Sequence, residues 1–120
     1  MSDQQLTDTK KWLRKRRSQR IEFSVPVGVH RPREEGPPFN ESTETFVVSA
    51  HGALMALADM VAPKQRLLIQ NLGSGEQQEC RVVYVAKRLT GPPEVAVEFA
   101  RPAPSFWRIA FPPADWTAGA

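Results

Sequence analysis

The residues best suited to chemistry in this chain are the arginines of a short basic run at residues 15–20. An arginine side chain offers planar N–H donors that match a phosphate group or the edge of a guanine base, and it stays charged at any ordinary pH. The run leads directly into an alternating apolar segment, residues 21–29. A basic arm joined to a first strand predicts a site for a small anionic ligand.

Positive charge is concentrated at this end of the chain. Residues 1–20 hold seven Lys and Arg and two Asp, a balance of +5, whereas the net charge of the whole chain is only +3. The remaining residues are therefore slightly acidic, and the arm is where an anion would bind. A second interpretation stays open, in which the run is a solvated tail that gives solubility and weak binding to polyanions.

Length and composition indicate one domain. The chain has 120 residues, of which 41% are hydrophobic and 24% charged, as in ordinary soluble proteins. It has no apolar stretch near the roughly 20 residues of a membrane helix and no secretory signal pattern. The single cysteine, Cys80, cannot form an internal disulfide, which predicts a cytoplasmic location.

Alternating and apolar stretches predict about six short strands, separated by turns rich in proline and glycine. Their predicted positions are residues 20–30, 45–48, 53–57, 66–70, 78–87 and 94–99. In the first strand, one face is predicted to point inward: Ile21, Phe23, Val25, Val27 and Val29. Short strands in this number predict an all-β fold, a closed or nearly closed antiparallel barrel.

Three regions follow from this pattern. Residues 1–13 are predicted to be a flexible or short helical arm, residues 14–100 the barrel, and residues 101–120 a tail rich in proline and aromatic residues. We expect the tail to cover one end or flank of the barrel, since a small core needs large side chains. The tail aromatics are Phe106, Trp107, Phe111 and Trp116. A surface that binds a partner or stacks on bases is the alternative.

Two motifs occur in a fixed order. Arg16 and Arg20 have Arg-x-x-x-Arg spacing before the first strand, and residues 47–52 read Val-Val-Ser-Ala-His-Gly at a strand junction. With the strand count, this combination resembles a PilZ domain over residues 14–100. The resemblance implies a six-stranded antiparallel barrel with a basic N-terminal arm and an aromatic C-terminal tail. It also implies binding of the bacterial second messenger cyclic di-GMP.

The resemblance also assigns residues to the ligand. Arg16 and Arg20 match the arginine pair that grips phosphate and guanine, and Arg17 beside them is a further phosphate contact. Ser49 and Gly52 match the serine and glycine of the Asp/Asn-x-Ser-x-x-Gly motif, which touches the other face of the ligand. His51 lies inside that motif and is added to the predicted site. The alternative is a surface or turn histidine with no ligand.

Position 47 departs from the motif, because Val47 stands where the family has Asp or Asn. Valine offers the guanine edge no side-chain hydrogen bond, and a lost contact of this kind costs about 1–3 kcal/mol. Ser49 and Gly52 also have a purely local interpretation, with serine bonding the backbone and glycine supplying a positive φ for the turn.

Three functions are compatible with these residues. The first is a cyclic di-GMP receptor that signals to an unidentified partner protein through ordering of the arm. The second is a degenerate PilZ adaptor that binds a protein and no nucleotide. The third is non-specific binding of the arm to nucleic acid or an anionic membrane, although no specific nucleic-acid target is predicted.

Catalysis and metal binding are not predicted. The two histidines, His30 and His51, and Cys80 are too far apart in sequence to form a convincing metal set. Paired catalytic carboxylates and a glycine-rich phosphate loop are absent from the sequence. We therefore expect a protein that is not an enzyme and has no cofactor.

Overall fold

The computed structural model describes residues 18–118, with side chains up to residue 116. Within that range the chain forms seven strands, one 3₁₀ turn and one short helix. These are β1 (Ile21–Glu22), β2 (Pro26–His30), the 3₁₀ turn Arg33–Glu35, β3 (Asn40–Ser49), β4 (Gly52–Ala56), β5 (Arg66–Asn71), β6 (Gln77–Ala86), β7 (Glu94–Phe99) and α1 (Ala114–Ala118). The predictions for residues 1–13, Arg16 and Arg17 lie outside the described residues.

Six of the strands close into an antiparallel barrel. The sheet order is β1-β3-β2-β5-β6-β7-β4, and a further pairing between β3 and β4 closes the six strands other than β1 into a ring. Closure is possible because β3 changes partners along its length: Asn40 to Glu44 pair with β2, and from Thr45 onward the strand pairs with β4. The predicted six-stranded all-β barrel is confirmed, with β1 as one additional strand beside β3.

The first strand is interrupted, whereas the alternation predicted one continuous strand. Residues 23–25 separate β1 from β2, and the side chain of Thr45 fills the gap. Its hydroxyl accepts from the Val25 N–H at 2.9 Å and donates to the Phe23 carbonyl at 2.7 Å. The break rotates the chain, so Phe23 is 43% exposed and its predicted inward position is wrong. Val25, Val27 and Val29 are buried as predicted.

Strand β3 begins at Asn40, earlier than its apolar pattern indicated. Residues 40–44 are half-buried or exposed, so they carry no inward apolar face that the sequence would reveal. Glu41 in this stretch accepts hydrogen bonds from the backbone N–H groups of Ala58 and Asp59, at 2.7 and 3.0 Å. The polar half of β3 thus anchors the loop that follows β4.

The C-terminal tail completes the core. Phe106, Trp107 and Trp116 are each at most 2% exposed and belong to the same apolar cluster as the inward strand residues. The Trp107 ring stacks on Phe99 at 5.7 Å and meets Phe106 edge-on at 4.8 Å. Phe111 is 94% exposed, so its expected covering role is wrong. A proline-broken tail has no regular period, and only packing decides which of its aromatics turn inward.

Candidate functional site

The predicted motif residues lie at the hairpin that joins β3 to β4. Ser49 ends β3, Gly52 begins β4, and Ala50 and His51 form the turn between them. The Ser49 hydroxyl accepts from the His51 N–H at 3.1 Å, and the Ser49 carbonyl accepts from the Trp107 indole N–H at 2.8 Å. Ser49 is therefore held from both sides, and it is buried.

Gly52 is needed for close packing of two strands. Its φ is not positive, unlike those of Gly36, Gly75 and Gly91, so the local prediction of a positive φ is wrong. A Cβ atom at position 52 would lie 2.0 Å from the Val97 carbonyl oxygen, because β4 and β7 approach closely there. Only glycine lets the hairpin lie this near to β7.

The chain entering β1 is fixed between the hairpin and α1. The Ser18 hydroxyl lies 2.9 Å from His51 Nδ1, a hydrogen-bonding distance. The Gln19 N–H donates to Asp115 at 2.9 Å, and the Trp116 indole N–H donates to the Gln19 carbonyl at 2.6 Å. Residues 18 and 19, which belong to the basic run before β1, are thus bonded to the motif turn on one side and to the tail on the other.

Arg20 follows directly and is half-buried. The next residue, Ile21, is paired with Val48, the neighbour of Ser49. The pairing of β1 with β3 therefore brings Arg20 to the hairpin that carries Ser49, His51 and Gly52. Of the six predicted ligand residues, these four lie together, and Arg16 and Arg17 lie outside the described residues.

A row of residues crosses the outer wall of the barrel beside the hairpin. Cross-strand pairs connect its members in order: Glu22, Val47, Leu54, Ala96 and Tyr84. Leu54, Ala96 and Tyr84 form a small apolar cluster separate from the core, with Val47 packed against it. Glu22 is exposed and Val47 half-buried, so a ligand that approached this row would meet the end formed by Glu22 and Val47.

Cys80 lies on the inner face of β6 and has no features of a nucleophile. Burial raises its pKa to about 12, with a smaller contribution from the neighbouring Glu79 carboxylate. The thiol therefore stays protonated at neutral pH, and a protonated thiol is a poor nucleophile. Among residues 18–118, no three His, Cys, Asp or Glu side chains are grouped so as to hold a metal ion.

None of the described helices has the length and apolar character needed to span a bilayer.

Comparison with known proteins gives matches only among solved structures. No family model matches the chain, and no curated protein matches it. The inhibitor of motility MotI/DgrA from Bacillus subtilis aligns with TM-score 0.55 and 19% identity over 78% of this chain and 48% of its own. YcgR from Escherichia coli, in complex with c-di-GMP, aligns with TM-score 0.54 and 17% identity over 78% of this chain and 42% of its own.

A looser match is the PilZ domain of CeSA from a cellulose-synthesizing bacterium, with TM-score 0.47 and 20% identity over 68% of this chain and 80% of that domain. The chain spans only about half, or less, of the two proteins that it matches with higher scores.

This chain has a PilZ-like fold. The predicted resemblance is thereby confirmed for the fold. In this PilZ-like domain, the sequence allowed the hairpin and Arg20 to be selected, but not the groups that hold the hairpin and Gln19: Ser18, Asp115 and the two indole N–H groups. A tryptophan in a proline-rich tail signals burial, but its hydrogen-bond acceptor depends on which carbonyl the folded chain brings near.

Proposed function

We propose that this PilZ-like domain is a cyclic di-GMP receptor that acts on a partner protein in the cytoplasm. The observation that supports the proposal most is the position of Arg20 beside the hairpin of Ser49 and Gly52. A guanidinium group next to a backbone turn and a hydroxyl offers several hydrogen-bond donors to one phosphate. The YcgR structure, with the same fold, is a complex with c-di-GMP.

The energy of this contact has a known scale. Hydrogen bonds to charged groups contribute about 1.5–3 kcal/mol each, and cyclic di-GMP carries two phosphates. In the proposal Arg16 and Arg20 contact phosphate and guanine, Arg17 adds a phosphate contact, and His51 borders the ligand. Part of the binding energy orders the basic arm across the barrel, and the ordered arm is what a partner protein recognises.

Calorimetric titration with cyclic di-GMP tests the proposal. We expect Arg20→Ala to weaken binding by roughly tenfold to a hundredfold, as the loss of one charge-assisted contact implies. Arg33→Ala is the matched control, because Arg33 is an exposed arginine in the 3₁₀ turn and should leave the affinity unchanged. Native protein that gives no heat at high micromolar nucleotide would contradict the proposal without affecting the fold.

A second candidate is a protein-binding adaptor that does not bind nucleotide. Two observations favour it: Val47 provides no polar group to the ligand side of the hairpin, and Phe111 in the tail is 94% exposed. Binding of a partner that persists in the Arg16→Ala/Arg20→Ala double variant, with or without nucleotide, would support the adaptor. Binding that falls steeply with salt and shows no preference among nucleotides would instead indicate non-specific attraction by the arm.

A further inference from the structure

We propose that Glu22 selects guanine in this site, supplying the acceptor that Val47 lacks. The inference rests on the proposed function and concerns its specificity. It starts from the register of β1 on β3, in which Glu22 is paired directly with Val47. Residues directly opposite in an antiparallel pair have Cβ atoms about 4.5–5.5 Å apart, so their side chains share one patch of surface.

Both side chains face outward. Their strand neighbours Ile21 and Val48 contact the core, and side chains alternate between the two faces of a strand. Glu22 is exposed, whereas Val47 is half-buried. The longer side chain of Glu22 therefore extends past the valine and brings a carboxylate to the part of the wall where position 47 offers only methyl groups.

The Glu22 carboxylate is available for a ligand. It takes part in none of the ion pairs formed among residues 18–118. By contrast, Glu44 on the neighbouring stretch accepts from the Ser24 hydroxyl at 2.6 Å. Glu22 also lies only two residues after Arg20, so the chain entering and forming β1 brings both a cation and an anion to this part of the barrel.

This pair of charges matches the two parts of a guanine nucleotide. Phosphate is an anion and pairs with arginine, whereas the N1–H and N2 amino groups of guanine are donors that suit a carboxylate, which only accepts. Adenine has an acceptor at N1 and no amino group at C2, so it would leave the carboxylate facing a lone pair. The arginine contacts to phosphate therefore hold any cyclic dinucleotide, and Glu22 adds discrimination between the bases to whatever the arginine contacts to guanine supply.

Parallel titrations with cyclic di-GMP and cyclic di-AMP test the assignment. We expect the native protein to prefer cyclic di-GMP, and Glu22→Gln to weaken its binding by roughly tenfold to a hundredfold, since one charge-assisted contact is lost. Cyclic di-AMP should bind Glu22→Gln at least as well as it binds the native protein, because an amide can both donate to and accept from adenine.

Glu94→Gln is the matched control. Glu94 lies on the same outer wall, on β7, where it pairs with Ala56 of β4 and Ala86 of β6. Strands β3 and β4 lie between β7 and the β1 strand that carries Glu22. The same chemical change there should leave the preference for guanine intact. Thermal melting of both variants should match that of the native protein, which excludes a loss of fold as the cause.

A reversal experiment uses position 47. If the guanine edge lies between residues 22 and 47, Val47→Asp added to Glu22→Gln should restore the preference for cyclic di-GMP. An unchanged ratio of the two affinities in Glu22→Gln would overturn the assignment while leaving the receptor proposal in place. Absence of binding of either dinucleotide to the native protein would instead remove the proposed function itself.

Discussion

Two regions of the barrel are held together in different ways. The hairpin region, defined by Ser49, Gly52, Trp107 and Trp116, depends on buried and part-buried hydrogen bonds between neutral groups and on close packing. The Arg66 cluster, at the start of β5, depends on charges instead: Arg66 contacts Glu34, Glu35 and Glu79 at 3.3–4.0 Å, with its own side chain 40% exposed.

Burial decides how much each of these contacts contributes to stability. Removing one partner from a buried hydrogen bond leaves the other group desolvated and unpaired, which costs about 1–3 kcal/mol. Exposed ion pairs are screened by water and salt and exchange readily with hydration. The hairpin region should therefore tolerate almost no substitution, whereas the Arg66 cluster should respond mainly to pH and salt.

The largest expected effect is that of Trp107→Ala. It removes a buried ring that contacts Phe99 and Phe106 and also the donor to the Ser49 carbonyl, so we expect a loss of about 3–5 kcal/mol in the free energy of unfolding. Trp107→Phe keeps most of the packing and should cost less. Urea denaturation monitored by circular dichroism measures both. Equal stability of Trp107→Ala and the native protein would show that the hairpin region is not held by the tail.

Gly52→Ala should come second. The added methyl group would lie 2.0 Å from the Val97 carbonyl oxygen, so the backbone of β4 or β7 must shift. We expect a loss of about 1–3 kcal/mol, the usual cost of overpacking. Gly28→Ala is the matched control, because a Cβ there would meet its nearest neighbour at an ordinary 3.5 Å. The two melting temperatures should differ clearly, and a similar value for both would contradict the close approach of the strands.

Glu35→Gln should have the smallest effect, and that effect should depend on pH. The backbone N–H and guanidinium of Arg66 lower the pKa of Glu35. A carboxyl group whose pKa is lowered in the folded state stabilises the fold above its unfolded pKa, and this contribution is lost as pH falls. The native protein should therefore be the more stable of the two at pH 7, and the difference should shrink on acidification below about pH 4. A difference that does not change with pH would rule out this ion pair as its source.

Prediction from sequence succeeded where local pattern carries the information. The stretches at residues 66–70, 78–87 and 94–99 correspond closely to β5, β6 and β7, because short apolar or alternating runs bounded by turn residues are a property of neighbouring residues. It failed at Phe23, where the inward phase is broken by Thr45, a residue far along the chain. It also failed for Gly52, whose role depends on the distance to β7 and not on its own turn.

The candidate site shows the same division. Arg20, Ser49, His51 and Gly52 could be selected from spacing and resemblance, and their assembly at one hairpin agrees with that choice without testing their roles. Glu22 could not be selected, since its importance depends on the residue opposite. A register pairs residues that are far apart in sequence, and one position of slippage would turn Glu22 to the core.

A small all-β domain with an arginine-rich N-terminal segment follows from the amino-acid sequence, since charge distribution and alternation are properties of neighbouring residues. The fold was needed to show that β3 pairs with β4 to close the barrel, that two indole N–H groups hold Ser49 and Gln19, and that Glu22 lies opposite Val47. These facts depend on distances between segments separated by tens of residues, which only the closed barrel sets.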